Sequence, residues 1–104
     1  MARERLDPAA LAEALGSIDG WNGSADGKSI EKNFEFRNFS EAFAFMTRSA
    51  LAAEKMDHHP DWSNSYRTVK VSLSTHDRGG VTELDVELAR KMNRFAGAAR
   101  SDGL

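Results

Sequence analysis

Two of the three histidines in the chain are adjacent, His58 and His59, within the segment Glu54–Trp62. The third is His76, at the end of a segment with the pattern of a β-strand. Histidine is the side chain whose ordinary pKa, about 6.5, lets it both donate and accept protons near neutral pH. Imidazole concentrated at one corner bounded by Pro60 therefore indicates acid/base chemistry.

Glu54 and His58 have helical i, i+4 spacing, so we expect them to share a face and to form a hydrogen bond. Such a carboxylate would fix the tautomer of the imidazole and stabilise its protonated form. Two other interpretations stay open. His58 could simply favour the negative end of the helix dipole, worth about 0.3–1 kcal/mol, and Glu54 could be one more solvated helix charge.

Trp62 and Asp85 are further candidates with structural alternatives. Trp62 could line a ligand site, although buried tryptophan more often serves core or interface packing. Asp85 follows Thr82 with the spacing of a capping box, so it is explained as well by a helix cap as by a catalytic role. The adjacent imidazoles diverge and no His-Glu-x-x-His pair occurs, so we expect no metal site.

Composition predicts one ordinary globular domain. A chain of 104 residues, 40% hydrophobic and 29% charged, fits a single soluble domain. A net charge of −2 with interspersed signs gives no basic surface for nucleic acid. The absence of cysteine fits a reducing compartment. With no apolar stretch of about 20 residues and no secretory signal, a cytoplasmic protein without membrane association is expected.

Hydrophobic periodicity predicts the elements that position these residues. A helix should begin at the N-cap Asp7 and end at Gly20, followed by a hairpin reaching Phe36. A second helix, capped by Asn38 or Ser40, should end near Asp57 because His59 precedes a proline. Its expected apolar stripe is Phe39, Ala42, Phe43, Phe45, Met46, Ala50 and Ala53. One long strand, 67–75, and a last helix after Thr82 complete the chain.

This order does not alternate as in βαβ units. It predicts an α+β fold, with three helices on one face of an antiparallel sheet. Residues 1–104 should form one domain, with 1–5 and 98–104 frayed. A bare sheet edge favours pairing between subunits.

Three sequence segments resemble the signature of the pterin-4a-carbinolamine dehydratases. They are Glu54-x3-His58-His59-Pro60-Asp61-Trp62-x3-Tyr66, Ser74-Thr75-His76 and Gly80-x-Thr82-x2-Asp85. The resemblance extends over residues 6 to 95, and it implies a sheet of about four strands where the residue pattern alone indicates three. One departure is Ser65, where relatives usually carry an apolar residue.

The resemblance implies a hydro-lyase that converts 4a-hydroxytetrahydropterin into quinonoid dihydropterin and water, using neither metal nor cofactor. It assigns His58 and His76 as the acid/base pair and His59 as the residue that contacts and orients the pterin. Glu54 would tune His58, Trp62 would line the site, and Asp85 matches an active-site position. Family members commonly form dimers or tetramers and act beside aromatic amino acid hydroxylases. Some animal members also serve as a dimerisation cofactor of a transcription factor, which is the alternative function.

Overall fold

The computed structural model describes residues 4–101, which form three helices and four strands. The helices are α1 (Pro8–Ser17), α2 (Phe39–Met56) and α3 (Glu83–Ser101), and a short 3-10 turn spans His76–Arg78. The strands are β1 (Asn22–Gly23), β2 (Ile30–Glu35), β3 (Asp61–Ser65) and β4 (Thr68–Leu73). No helix within the described residues is long and apolar enough to cross a membrane. Residues 1–3 and 102–104, part of the segments expected to fray, lie outside that range.

The strands form one antiparallel sheet in the order β1-β2-β4-β3, which confirms the predicted α+β class. The sequence predicted only β4 in the second half of the sheet. β3 is an additional edge strand joined to β4 by a tight turn at Tyr66, whose φ is 52°. The side-chain amide of Asn64 donates to the carbonyls of Tyr66 and Thr68 and closes this turn.

Only one face of the sheet is apolar. Ile30 and Phe34 of β2, and Val69, Val71 and Leu73 of β4, are buried under the helices. The alternating residues on the opposite face, Glu31, Asn33 and Lys70 among them, are exposed. This polar face follows from the period of two along each strand.

Helix α2 buries only part of the stripe predicted for it, including Ala42, Phe45 and Ala53. Phe45 packs on Phe34 with ring centroids 4.6 Å apart, while Phe39, Phe43 and Ala50 are exposed. The full buried set on this helix is Glu41, Ala42, Phe45, Ser49 and Ala53. Aromatic residues occur on both faces of α2, so periodicity alone did not identify the inward one.

Ser49 is fully buried in α2, and within the described part of the chain its hydroxyl has no hydrogen-bond partner. We expect Ser49→Ala to raise the free energy of unfolding by about 1 kcal/mol, because it removes an unsatisfied polar group and alanine is the better helix former. Urea denaturation of both proteins measures this change. A loss of stability would mean that the hydroxyl has a partner in solution.

Candidate active site

The turn that ends α2 places the two adjacent histidines. Asp57 is in the left-handed region with φ 52°, and its amide donates to the carbonyl of Glu54 at 3.1 Å. The amide of His58 donates to the carbonyl of Ala53 at 3.0 Å. These two bonds form a Schellman motif, which reverses the chain directly after the helix. His58 consequently points inward and is only 9% exposed.

His58 pairs with Asp85, not with Glu54. Its Nε2 lies 2.5 Å from Oδ1 of Asp85, whose side chain is fully buried. The other carboxylate oxygen, Oδ2, accepts the hydroxyl of Thr75 and the amide of Thr82, both at 2.9 Å. The same carboxylate therefore caps α3 and contacts a histidine, while its catalytic role stays a prediction.

Glu54 instead pairs with His59, whose Nε2 lies 2.8 Å from Oε1 of Glu54. Both side chains are exposed. The expected hydrogen bond between Glu54 and His58 is therefore wrong, because helical i, i+4 spacing ends at the left-handed Asp57. Beyond that residue the chain turns back, and His59 lies beside the last turn of α2.

His76 lies on the 3-10 turn that follows β4, with its Nε2 3.4 Å from Oδ2 of Asp61. Both side chains are exposed. Asp61 opens β3 and pairs in register with Ser72 of β4, which places it near the end of β4 from which His76 extends. The sequence indicated Asp61 only as part of the motif, because its hydrophobic pattern did not predict β3.

The loop that carries His76 is anchored from two sides. Thr75 and Gly80 form a bridge in which the amide of Thr75 donates to the carbonyl of Gly80 at 2.8 Å. The amide of Leu6 donates to the carbonyl of Val81, also at 2.8 Å. Arg5 lies across Gly80, where an added Cβ would be 2.6 Å from its Nε. Glycine at this position therefore lets the N-terminal segment pack on the loop.

Hydrogen bonds and short chain segments link the three histidines, and that all three face one site stays a prediction. Asp85 holds His58 and is bonded to Thr75, the residue before His76. His76 in turn lies against Asp61, which is separated from His59 only by Pro60. Each imidazole thus has its own carboxylate. Within residues 4–101 no three acidic or histidine side chains converge as a metal site.

Trp62 is half-buried and packs against the core. It also borders a cleft of about 460 Å³ that extends across β2, β4 and β3, with Asp61, Lys70 and Ser72 in its lining. None of the histidines lines this cleft, but it reaches the carboxylate that contacts His76. That Trp62 contacts a ligand stays a prediction.

The profile of the family described as "Pterin 4 alpha carbinolamine dehydratase" matches residues 4–95. A protein of Mesorhizobium japonicum, named as a candidate pterin-4-alpha-carbinolamine dehydratase, is 63% identical over 93% of this chain and 99% of its own. One from Sinorhizobium fredii with the same name is 55% identical over 100% of this chain and 99% of its own.

A crystal structure from Brucella melitensis, described as a transcriptional coactivator/pterin dehydratase, is 50% identical and superposes with a TM-score of 0.89. It covers 90% of this chain and 100% of its own. A pterin dehydratase-like RuBisCO assembly factor, 22% identical with a TM-score of 0.65, covers 75% of this chain and 90% of its own and shares the fold. The resemblance found in the sequence is thereby confirmed: the chain belongs to the pterin-4-alpha-carbinolamine dehydratase family.

Proposed function

We propose that this protein is a dehydratase that converts 4a-hydroxytetrahydropterin into quinonoid dihydropterin and water by histidine acid/base catalysis. The observation that carries the proposal is that each of the three histidines contacts a different carboxylate, and that these pairs are linked through Thr75 and Pro60. Membership of the family supplies the substrate class. The reaction would recycle tetrahydropterin beside an aromatic amino acid hydroxylase in the cytoplasm.

The chemistry requires one acid and one base. The C4a–O bond breaks as the hydroxyl is protonated and leaves as water, because hydroxide alone is a poor leaving group. The N5 proton moves to the base, and its bonding electrons form the C4a–N5 double bond. We assign these transfers to His58 and His76, and each is typically worth about 10²–10⁴-fold in rate.

The carboxylates give the histidines different tasks. Asp85 occupies Nε2 of His58, so the proton exchanged with substrate passes through Nδ1. Asp61 lies against the Nε2 edge of the His76 ring and orients it at the surface. His59, held by Glu54, contacts and orients the pterin, and Trp62 offers an aromatic edge to the ring.

The direct test is the decay of 4a-hydroxytetrahydropterin, generated in place by a hydroxylase, with and without the purified protein. We expect catalysed dehydration that a metal chelator leaves unchanged. Decay at the spontaneous rate would refute the enzyme assignment. Loss of activity with chelator, restored by zinc, would replace the proposed mechanism with metal-dependent chemistry.

A specific surface also supports a role in protein association. The alternative function needs an exposed apolar helix face. On α3, the apolar residues Leu88 and Met92 are fully buried. The exposed face is on α2, where Phe43 is 55% and Leu51 is 68% exposed, and Thr47 lies between them. Their spacing of four residues makes a continuous stripe along the helix.

We propose that a second copy of this chain covers that stripe, giving a homodimer or homotetramer. Phe43→Glu should lower the oligomeric mass, measured by sedimentation velocity, because a charge would be buried against the partner stripe. Ala12→Glu, an exposed position on α1 and outside this stripe, adds the same single negative charge and is the control. Identical sedimentation of Phe43→Glu and the unmodified protein would reject this interface.

A further inference from the structure

We propose that Thr75 is a positioning residue, whose hydroxyl holds the Asp85 carboxylate in the orientation that presents His58 to substrate. The inference rests on the proposed function for its effect on rate. Its structural part stands on the buried contacts around Asp85. Thr75 is 8% exposed, and both Thr82 and Asp85 are fully buried.

The hydrogen bonds around Asp85 have a definite direction. Thr75 Oγ1 donates its single proton to Oδ2 of Asp85 at 2.9 Å. The contact between Thr75 Oγ1 and Thr82 Oγ1, 2.7 Å long, must therefore take its proton from Thr82. Thr82 Oγ1 in turn accepts the amide of Leu84 at 3.2 Å. The two hydroxyls thus form a chain that ends on the carboxylate.

This chain of hydrogen bonds is important because the Asp85 carboxylate has no access to water. A fully buried carboxylate needs protein donors, and Asp85 receives them from His58, from the amide of Thr82 and from the hydroxyl of Thr75. The Thr82 amide belongs to the cap of α3. Thr75 alone among the three comes from the end of β4, so it fixes α3 relative to the sheet at this carboxylate.

Thr75 also connects the two proposed acid/base residues. Its side chain reaches the partner of His58, and its backbone leads directly into His76. The bridge to Gly80 holds that backbone in place. A change at Thr75 should therefore disturb the relative placement of the two imidazoles, which alters kcat more than the binding of substrate.

The test compares Thr75→Val, which keeps the shape but removes the donor, with Thr75→Ser, which keeps the donor. In the ligand-free protein, proton NMR should show the His58 Nε2 proton far downfield, because the bond to Asp85 is short and buried. We expect that signal in the unmodified protein and in Thr75→Ser, and an upfield shift or its loss in Thr75→Val. Ser49→Ala, which removes a buried hydroxyl far from Asp85 in the chain, is the control and should keep the signal.

The rate of dehydration gives the second readout. Thr75→Val should lower kcat by about 10- to 100-fold with KM nearly unchanged, and Thr75→Ser should restore most of it, as expected for a hydrogen bond to a charged group. An unshifted His58 signal in folded Thr75→Val would overturn the proposal, whatever the rate. If that variant does not fold, Thr75→Cys, a weaker donor of similar size, is measured instead. An unshifted His58 signal in Thr75→Cys would overturn the proposal in the same way.

The NMR result does not depend on activity. Should the unmodified protein show the downfield signal but no dehydration, the proposed function fails while the positioning role of Thr75 can still be tested. Should dehydration be rapid and Thr75→Val retain both signal and kcat, only the positioning role fails.

Discussion

His58→Ala and His76→Ala should each slow the dehydration of 4a-hydroxytetrahydropterin by about 10²- to 10⁴-fold, because each removes one of the two proton transfers. The loss should appear mainly in kcat, measured with saturating substrate. For His76→Ala the fold should be unaffected, since that side chain is 76% exposed. His58→Ala leaves Asp85 buried with one partner fewer, so its folded fraction is checked by circular dichroism before the rate is interpreted.

His59→Ala is the matched control, because it removes an imidazole from the same loop without removing an assigned proton transfer. We expect it to raise KM more than it lowers kcat, in keeping with an orienting role. The double variant His58→Ala/His76→Ala should lose little more than the worse single variant, since residues that act as a unit are not additive. Turnover by the double variant close to that of the unmodified protein would contradict the mechanism.

Most of the fold could be predicted from the sequence, because the local signals agree with the tertiary packing. Asp7 and Asn38 cap their helices through the side-chain bonds that their types favour. The alternation in β2 gave the correct buried face. β3 was missed because its sequence, Asp-Trp-Ser-Asn-Ser, is polar on an edge strand, where packing against β4 decides the structure.

The sequence indicated these residues better than it indicated their pairing. Hydrogen bonds and short chain segments link all three histidines, Glu54 and Asp85, yet Glu54 was assigned to the wrong imidazole. The cause is Asp57, a non-glycine residue in the left-handed region, which ends the helical spacing one residue before His58. Aspartate is one of the few non-glycine residues that adopt this conformation, so the helix end expected near Asp57 was the signal that helical spacing stops before His58.

The contact that the sequence could not predict is a long-range one. The Thr82–Asp85 cap was visible in the sequence as a local motif. The contact of the same carboxylate with His58 joins residues 27 positions apart. It exists only because α2 and α3 pack side by side on the sheet. The sequence pattern alone therefore left capping and catalysis as alternatives for Asp85.

Asp85→Asn should damage both the stability of the protein and its rate of dehydration. The asparagine side chain could not accept the His58 proton, the Thr75 hydroxyl and the Thr82 amide together, because one of its two terminal groups is a donor. Leaving a buried polar group without its hydrogen-bond partner costs about 1–3 kcal/mol in the free energy of unfolding. Since domains have about 5–15 kcal/mol in total, urea denaturation should find a folded but weakened protein.

The rate of Asp85→Asn should fall by at least about 10²-fold, because an asparagine amide at this position would donate towards Nε2 of His58 and favour the wrong tautomer. Glu54→Gln is the matched control: it alters a histidine–carboxylate pair at the same site, but an exposed one, worth at most about 1 kcal/mol. Because only the Asp85 pair is buried, we expect a much larger loss of stability in Asp85→Asn than in Glu54→Gln. Equal losses of stability in both would show that the buried His58–Asp85 pair does not hold this site together.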